Sequence, residues 1–390
     1  MPTSEFSIIL LINFIRQMKK VNFLSMLTAV ALMTGVTSCS NDDKLDDGGV
    51  IGKGEKATLN VGVTAPDMSR AVGAAVPSDA VGDFSVFITD QTDQIAWSTY
   101  SPTGAGITNF SVTTSAKNVY VVANAGDLTS SITTMAQLNA YKADLNGTGS
   151  QAAATNRWAT GVTASPLSFT QTGNNFTATT TVTLTFIAAR ITVTVDNQMA
   201  NYGNAGSLTL DDIVVLNARG ESLLFPAAGG GTSLIPATYT SGKKFYEGMA
   251  NPATPFANYP AAGEFTLAAS LLSDALTTTS TDKYYYYVFE NDALTDVTLP
   301  TIVTLTGTDD NGDALYWPVH LAAYEQWANS TAFTTTGIQR GHSYNIKITL
   351  TGDATNGGGG TDPTKPLVTA SVDVSVTLTP WTPVLLEKEF

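Results

Sequence analysis

The chain has 390 residues, a formal net charge of −14 and a pI near 4.4. So acidic a balance excludes nucleic acid and an anionic membrane face as principal partners, because both demand a basic patch. Only 13% of residues are charged, 43% are hydrophobic and threonine is abundant, a composition that suits strands more than helices.

From Met18-Lys19-Lys20 the chain passes through a mostly apolar stretch, Val21 to Val36, to Thr37, Ser38 and Cys39, its single cysteine. Positive residues, an apolar run and small residues, in that order, describe a signal peptide. Met1 to Gln17 lies outside that plan, so translation is expected to start at Met18. The apolar run is near the lower limit of about 17–25 residues that spans a bilayer, and Asn22, Ser25, Thr28 and Thr34 interrupt it, which argues against a permanent transmembrane helix. A cysteine directly after the small residues is where a bacterial lipoprotein is diacylated on sulfur and then cut. Cys39 is therefore read as a lipidation site. An ordinary secretory signal beside a free thiol is the alternative. Against it stands the polar sequence that follows, Ser40-Asn41-Asp42-Asp43 and Asp46-Asp47-Gly48-Gly49, which suits a tether between a lipid and a folded domain. Residues 1–39 are thus assigned to the signal peptide and 40–54 to the tether. Once processed, the chain holds no thiol for a disulfide, so its domains must rest on their cores, and roughly 330 residues suffice for that.

Strand alternation begins at Ala57-Thr58-Leu59-Asn60-Val61-Gly62-Val63-Thr64 and continues in Phe84 to Ile88, Val182 to Phe186, Ile191 to Val195, Tyr344 to Leu350 and Val372 to Leu378. Each run sets apolar side chains on one face and Thr, Ser, Asn or Asp on the other, the pattern of half-buried antiparallel strands. Many such runs between Gly, Asn, Asp and Pro turns predict β-sandwiches, and the length predicts two domains. A second set of strands starts within Thr185 to Asp196, which puts the boundary near Ala188: an N-terminal domain over 55–188 and a C-terminal domain over 189–380. Helices are expected to be few, with Thr134 to Leu145 as one short helix and Leu321 to Ala328 as a weaker one. Thr355 to Pro366, rich in glycine, reads as a flexible hairpin connection before the last strand.

Catalytic signatures are lacking. His320 and His342 lie in strand-like surroundings without a partner at metal-ligand spacing, and read as structural histidines. There is no nucleophile elbow, no HExxH and no phosphate loop. Asp309-Asp310-Asn311-Gly312-Asp313 lacks the spacing and terminal Glu of an EF-hand and reads better as a hairpin turn on Asn-Gly. The aromatic run Lys283 to Phe289 offers a sugar-stacking platform or, as a strand with rings on both faces, core packing. No catalytic, metal or cofactor residue is assigned, and the chain is not read as an enzyme.

Two features call for a functional account. Arg70 stands alone in a linker of Pro, Ala and Gly directly after the first strand, where a solvated loop arginine is the ordinary reading. Trp381 to Phe390 is apolar for a terminal segment, where polarity is usual; a last strand tucked against its own domain is the ordinary reading there. Taken together, they match. At about 3.3 Å per residue, the first strand from Ala57 to Ala65 and the tail from Trp381 to Phe390 both extend to roughly 30 Å. Leu59, Val61 and Val63 share one face of the strand; Val384, Leu386 and Phe390 share one face of the tail. A cut between Arg70 and Ala71 would free the first strand and leave a groove that takes up another strand. Filled by a neighbour's tail, it makes a head-to-tail contact, which builds filaments when it does not close.

The sequence resembles the fimbrillins, the structural subunits of type V pili from Bacteroidetes, over most of its length. The resemblance rests on the Cys39 box with its acidic tether, Ser69 to Ala71, Phe186 to Val195, Leu208 to Gly220, Tyr284 to Asn291, Pro300 to Thr308, Gly337 to Gly352 and Val372 to Trp381. It implies two transthyretin-like antiparallel β-sandwich domains in tandem, export as an outer-membrane lipoprotein, removal of the N-terminal strand by an arginine-specific or trypsin-like protease, and polymerisation by strand exchange. Carried onto this chain, Cys39 is the lipidated residue, Arg70 and Ala71 flank the cut, Ala57 to Ala65 is the displaced strand and Trp381 to Phe390 the donor. Pro380 and Pro383 depart from a continuous donor, since proline gives no ladder hydrogen bond, so pairing begins at Val384.

The expected function is accordingly a non-catalytic fimbrial stalk subunit, with copies of itself, other fimbrial subunits, the protease, the outer membrane and a host protein or glycan receptor as partners. One alternative is a tip or accessory adhesin, against which the apolar tail argues. The other is a glycan-binding surface lipoprotein that does not polymerise, for which Trp97, Trp158, Trp317 and Trp327 are scattered in sequence rather than clustered.

Overall fold

The structure is a computed structural model describing residues 54–66, 80–147, 149–153, 157–198, 208–226, 233–248, 264–276, 283–291, 300–309, 311–321, 337–350, 360–363 and 372–380. All of them fall within one compact unit, Ile51–Phe390. Its first elements are β1 (Lys56–Thr64), β2 (Phe84–Thr89), β3 (Ile95–Ser101), β4 (Ile107–Thr113), β5 (Val119–Ala123), α1 (Met135–Ala140), β6 (Lys142–Asp144), β7 (Ala159–Val162), β8 (Thr170–Thr172), β9 (Asn175–Thr183) and β10 (Thr185–Phe186). They are followed by β11 (Ala188–Asn197), β12 (Leu208–Leu216), β13 (Ala218–Arg219), β14 (Glu221–Leu223), β15 (Phe245–Glu247), β16 (Phe265–Leu267), α2 (Ala269–Leu272), β17 (Ser273–Ala275), β18 (Lys283–Phe289), β19 (Ile302–Asp309), β20 (Ala314–His320), β21 (His342–Leu350) and β22 (Val372–Pro380). The fold is all-β, with helix confined to short pieces among the described residues, and none of these is long and apolar enough to cross a membrane.

Strand alternation becomes sandwich packing. The sheet β4-β1-β9-β8 and the sheet β10-β7-β5-β2-β3 bury a common core, in which Leu59, Val61, Ala178 and Val182 of the first meet Phe84, Val86, Ile88 and Val121 of the second. The sheets β18-β11-β21-β22 and β17-β12-β19-β20 do the same with Ile191, Val193 and Ile346 against Ile213, Val303 and Trp317. β2 is buried at every position because Phe84, Val86 and Ile88 serve the first core while Phe87, on the opposite face, joins the second. Val122 on β5 does likewise, so the strands before Ile187 and those after it share one apolar core.

Polar contacts close the same seam. β6 pairs antiparallel with β14, Asp144 opposite Glu221 and Lys142 opposite Leu223. Lys142 Nζ lies 2.7 Å from Glu221 Oε2, Lys243 pairs with Asp144, and the Tyr246 hydroxyl donates to Asp144 Oδ1 at 3.1 Å. Burial works to raise the Glu221 pKa, and the hydrogen bonds from Lys142 and Thr240 overcome it, holding the carboxyl below its ordinary value. Arg340, in the turn before β21, donates through Nη1 to Thr160 Oγ1 of β7 at 3.3 Å and to the Leu224 carbonyl at 3.0 Å. The Arg157 guanidinium stacks on the Tyr287 ring of β18, 3.1 Å from its centroid.

Several local expectations are corrected. The helix predicted over Thr134 to Leu145 runs only from Met135 to Ala140. A capping box at Thr134 starts it, its hydroxyl accepting the Gln137 N–H at 3.2 Å, but Tyr141 is already extended and Lys142–Asp144 pairs as β6. A ladder to a distant strand with two ion pairs outweighs the propensity of one more helical turn. The run from Val182 to Phe186 is broken: β9 ends at Thr183, and the chain crosses at Leu184 to the other sheet as β10. The glycine-rich connection is anchored in part, since Gly360 exchanges two hydrogen bonds of 2.9 Å with Tyr316 on β20 and Pro363 O accepts from Thr304 Oγ1 at 2.8 Å. Leu321 ends its segment of described residues, and the rest of the helix predicted from it lies outside them. Between β19 and β20, Asp309 Oδ1 accepts the N–H groups of Asn311 at 2.8 Å and Asp313 at 2.9 Å, and Gly312 takes φ +86°, the hairpin turn that Asn-Gly predicts.

One buried group departs from this pairing. Glu247 on β15 is 1% exposed, and its Oε1 has no hydrogen-bond partner among the described residues. Burial pushes its pKa up to about 7 from the ordinary 4.5. The folded state therefore holds a proton that the unfolded state has lost between these values, and Glu247 makes stability fall as pH rises through that window. Glu247→Gln should flatten this part of the pH profile and raise the Tm at pH 8; thermal melts from pH 4 to 8 that superimpose on the unmodified protein would contradict it.

Candidate functional site

β1 lies inside its sheet, not at its edge. It runs antiparallel to β4, from Lys56↔Thr113 to Leu59↔Phe110 and on to Val61↔Ile107, and parallel to β9, from Ala57↔Phe176 to Thr64↔Thr183. The sequence left open how the first strand is held; it is held from both sides. Its odd-numbered residues face inward: Leu59 is 0% exposed, Val61 2%, Ala57 is buried and Val63 packs half-buried against the same core. Lys56 and Thr64 at its ends are exposed.

Magnitudes show what this strand carries. Burying a Leu or Val side chain contributes about 1.5–3 kcal/mol, and each ladder hydrogen bond a net of about 0.5–1.5 kcal/mol. Losing β1 removes both from two neighbours at once, a sum comparable to the roughly 5–15 kcal/mol that holds a typical domain folded. β4 and β9 would be left with unpaired backbone groups facing each other across an apolar floor made by Phe84, Val86 and Val121. Such a slot is a template for an extended chain.

The other predicted site residues fall elsewhere. Cys39, Arg70 and Ala71 lie outside the described residues, which resume at Ala80 after Pro66. Val384, Leu386 and Phe390 also lie outside them. Immediately before that segment, β22 pairs along the whole of β21, from Leu350↔Val372 to His342↔Pro380, and is the last strand of its sheet. Pro380 sits at the end of that ladder, where a missing donor costs least. Sequence reading missed the two flanks. In β9, Thr180 occupies an inward place and interrupts the apolar alternation, and in β4 an extra residue at Asn109 breaks the period of two. Only the threonines at 177, 179, 181 and 183, all exposed, signalled an outer face.

The aromatic run is core. Tyr286 and Tyr287 are buried on opposite faces of β18, the Tyr286 hydroxyl reaching the Ile213 carbonyl at 3.5 Å and Tyr287 lying under Arg157. Trp317 is buried, Trp97 and Trp158 are half-buried, and Trp327 lies outside the described residues. His320 is buried on β20, and His342 Nδ1 lies 2.9 Å from the Arg340 carbonyl. Among the described residues no group of three or more His, Cys, Asp or Glu could hold a metal ion. Leu59→Ala should destabilise the uncut protein by roughly 2–5 kcal/mol in denaturant unfolding; a loss below about 1 kcal/mol would show that β1 is not part of the core.

Residues 188–381 match the C-terminal domain of FimA-like major fimbrial subunit proteins. The match begins where β11 begins, just past Ile187. The chain is similar to a candidate cell adhesion protein from Bacteroides eggerthii, at 25% identity and TM-score 0.64, over 87% of this chain and 100% of that one. It shares its fold with a fimbrilin of Porphyromonas gingivalis, at 21% identity and TM-score 0.58, over 85% and 99% of the two chains. A candidate cell adhesion protein from Parabacteroides distasonis has the same fold at 15% identity and TM-score 0.54, over 84% and 100%. No curated protein matches the chain. An all-β pair of sandwiches whose second half is a FimA-like fimbrial domain makes this chain a member of the Bacteroidetes fimbrillin family, the subunits of cell-surface fimbriae that associate with other fimbrial subunits.

Proposed function

We propose that the chain is a pilin precursor that polymerises by donor-strand exchange. The observation that carries this reading is β1, an interior strand held on both sides and joined to β2 by a linker that contains Arg70. On this reading the precursor is exported through its signal peptide, lipidated on Cys39 and tethered to the outer membrane by residues 40–54. An arginine-specific or trypsin-like protease cuts between Arg70 and Ala71, which severs β1 from its domain. The slot between β4 and β9 is then filled by the Trp381–Phe390 segment of a second copy, with Val384, Leu386 and Phe390 on its inward face. Repetition gives a filament, and the filament presents the subunits for adhesion to a host protein or glycan.

The two halves take distinct parts in this reading: a β-sandwich domain over 55–188 accepts the strand, and one over 189–380 carries the donor at its end. Because the exchanged strand is buried along its length, the joint resists denaturant kinetically, its dissociation requiring a large part of the sandwich to open.

Two variants test the reading. Arg70→Ala should give a precursor that folds and is lipidated but yields no filaments under trypsin, whereas the unmodified chain yields filaments with Ala71 as the new N-terminus. Deleting Val384 to Phe390 should leave cutting intact and abolish filaments by electron microscopy. Filaments from the deletion variant in unchanged amount would overturn the donor assignment.

A further inference from the structure

The β4 side of the slot is not a plain ladder. Between Leu59↔Phe110 and Val61↔Ile107 the register shifts, so Thr108 and Asn109 stand against the single residue Asn60, a β-bulge in β4. Asn109 takes the left-handed conformation, φ +55°, which asparagine tolerates better than most residues. Asn60 clamps the irregularity from β1: its Oδ1 accepts the Asn109 N–H at 2.8 Å and its Nδ2 donates to Thr179 Oγ1 on β9 at 3.4 Å. The bulge does not depend on β1 alone. Ile107 and Phe110 both pack against the first core although they are three positions apart, a spacing that a regular strand would turn to opposite faces. The spacing that calls for the bulge thus lies in the sequence of β4 itself.

We infer that this bulge makes the slot directional, so that the strand replacing β1 runs as β1 does, parallel to β9 and antiparallel to β4, with Val384 of a second copy in the place of Leu59 and Leu386 in the place of Val61. The inference rests on the exchange reading above. Bulges belong to antiparallel pairs and are rare in parallel ones, so a reversed strand would meet β4 in parallel across an irregularity that does not fit it. In the forward direction the side-chain pattern selects one register. Setting Leu386 at Leu59 brings Lys388 to the buried Val61 place; setting Val384 at Val61 brings Thr382 to the Leu59 place; an odd shift turns Glu387 and Glu389 inward. The chosen register conserves the volume of the two fully buried places, Val and Leu exchanging positions, and brings Lys388 to the half-buried Val63 place at the mouth, from which its ammonium reaches water. Leu385 then stands at Asn60, where it offers no acceptor, so the double clamp belongs to the precursor's own strand.

Cysteine pairs read the direction. The native Cys39 precedes Arg70, so the cut subunit contains no thiol of its own. In the forward register Glu387 takes the place of Gly62, whose Cα partner on β9 is Thr181; reversed, with Leu386 at Leu59, it takes the place of Thr58, whose partner is Thr177. Both threonines are exposed, which makes them tolerant positions. Subunits carrying E387C with T181C should form intermolecular disulfide ladders under mild oxidation, and E387C with T177C should not. A ladder from T177C alone, or equal ladders from both, would overturn the direction. Filaments with neither ladder would overturn the register, since a tail shifted by two places in the same slot sets Glu387 opposite Thr179 or Thr183; filaments that persist when Val384 to Phe390 is deleted would overturn the exchange reading instead. A synthetic peptide of residues 381–390 carrying E387C, added to the cut subunit with either threonine replaced, gives the same readout where a double variant fails to polymerise.

Discussion

Everything in the first sandwich turns on a strand that is central in space and first in sequence. β1 satisfies β4 on one side and β9 on the other, and it plugs the core with Leu59 and Val61. An edge strand could fray with little consequence. An interior strand cannot leave without exposing two ladders and a strip of apolar floor, and the loss is comparable to the whole stability margin of a domain. On the proposed reading, the same burial that keeps the uncut chain folded would make the slot avid for a replacement once β1 is gone.

The second constraint is the seam between the strands before Ile187 and those after it. A single apolar core containing Phe87, Val122, Val215 and Tyr287 runs across it, and β6 pairs with β14 over it, flanked by the Lys142–Glu221 and Lys243–Asp144 contacts. Arg340 reaches from the turn before β21 to Thr160 on β7, and the Tyr120 and Phe225 rings meet edge to face at 5.2 Å. A load applied to one sandwich thus passes to the other through packed side chains and a two-stranded ladder rather than through a linker. In a filament of such subunits, bending would concentrate at the joints between copies.

Much of this architecture was legible in the sequence where side chains alternate locally. β1, β2, β11, β21 and β22 each follow the period of two, and the Asn-Gly hairpin follows its turn chemistry. Where distant partners decide, the pattern failed. Lys142–Asp144 reads as the end of a helix and becomes a strand because Glu221–Leu223 waits for it. The bulge at Asn109 hides β4, and Thr180 hides β9, so the flanks of the site went unseen although the strand between them was plain. Tyr286, Tyr287 and Trp317 fit a glycan platform as readily as a core until their burial places them in the core. Cys39, Arg70, Ala71, Val384, Leu386 and Phe390 lie outside the described residues and rest on sequence reasoning alone.

Backbone hydrogen exchange tests the central claim most directly, measured on the precursor, on the subunit cut after Arg70 while still monomeric, and on the assembled filament. The account predicts that amides of β4 and β9, protected in the precursor, exchange rapidly in the cut monomer and regain protection in the filament. Protection of Ile107–Thr113 and Asn175–Thr183 unchanged across all three states would show that β1 does not hold the slot closed, and would contradict it.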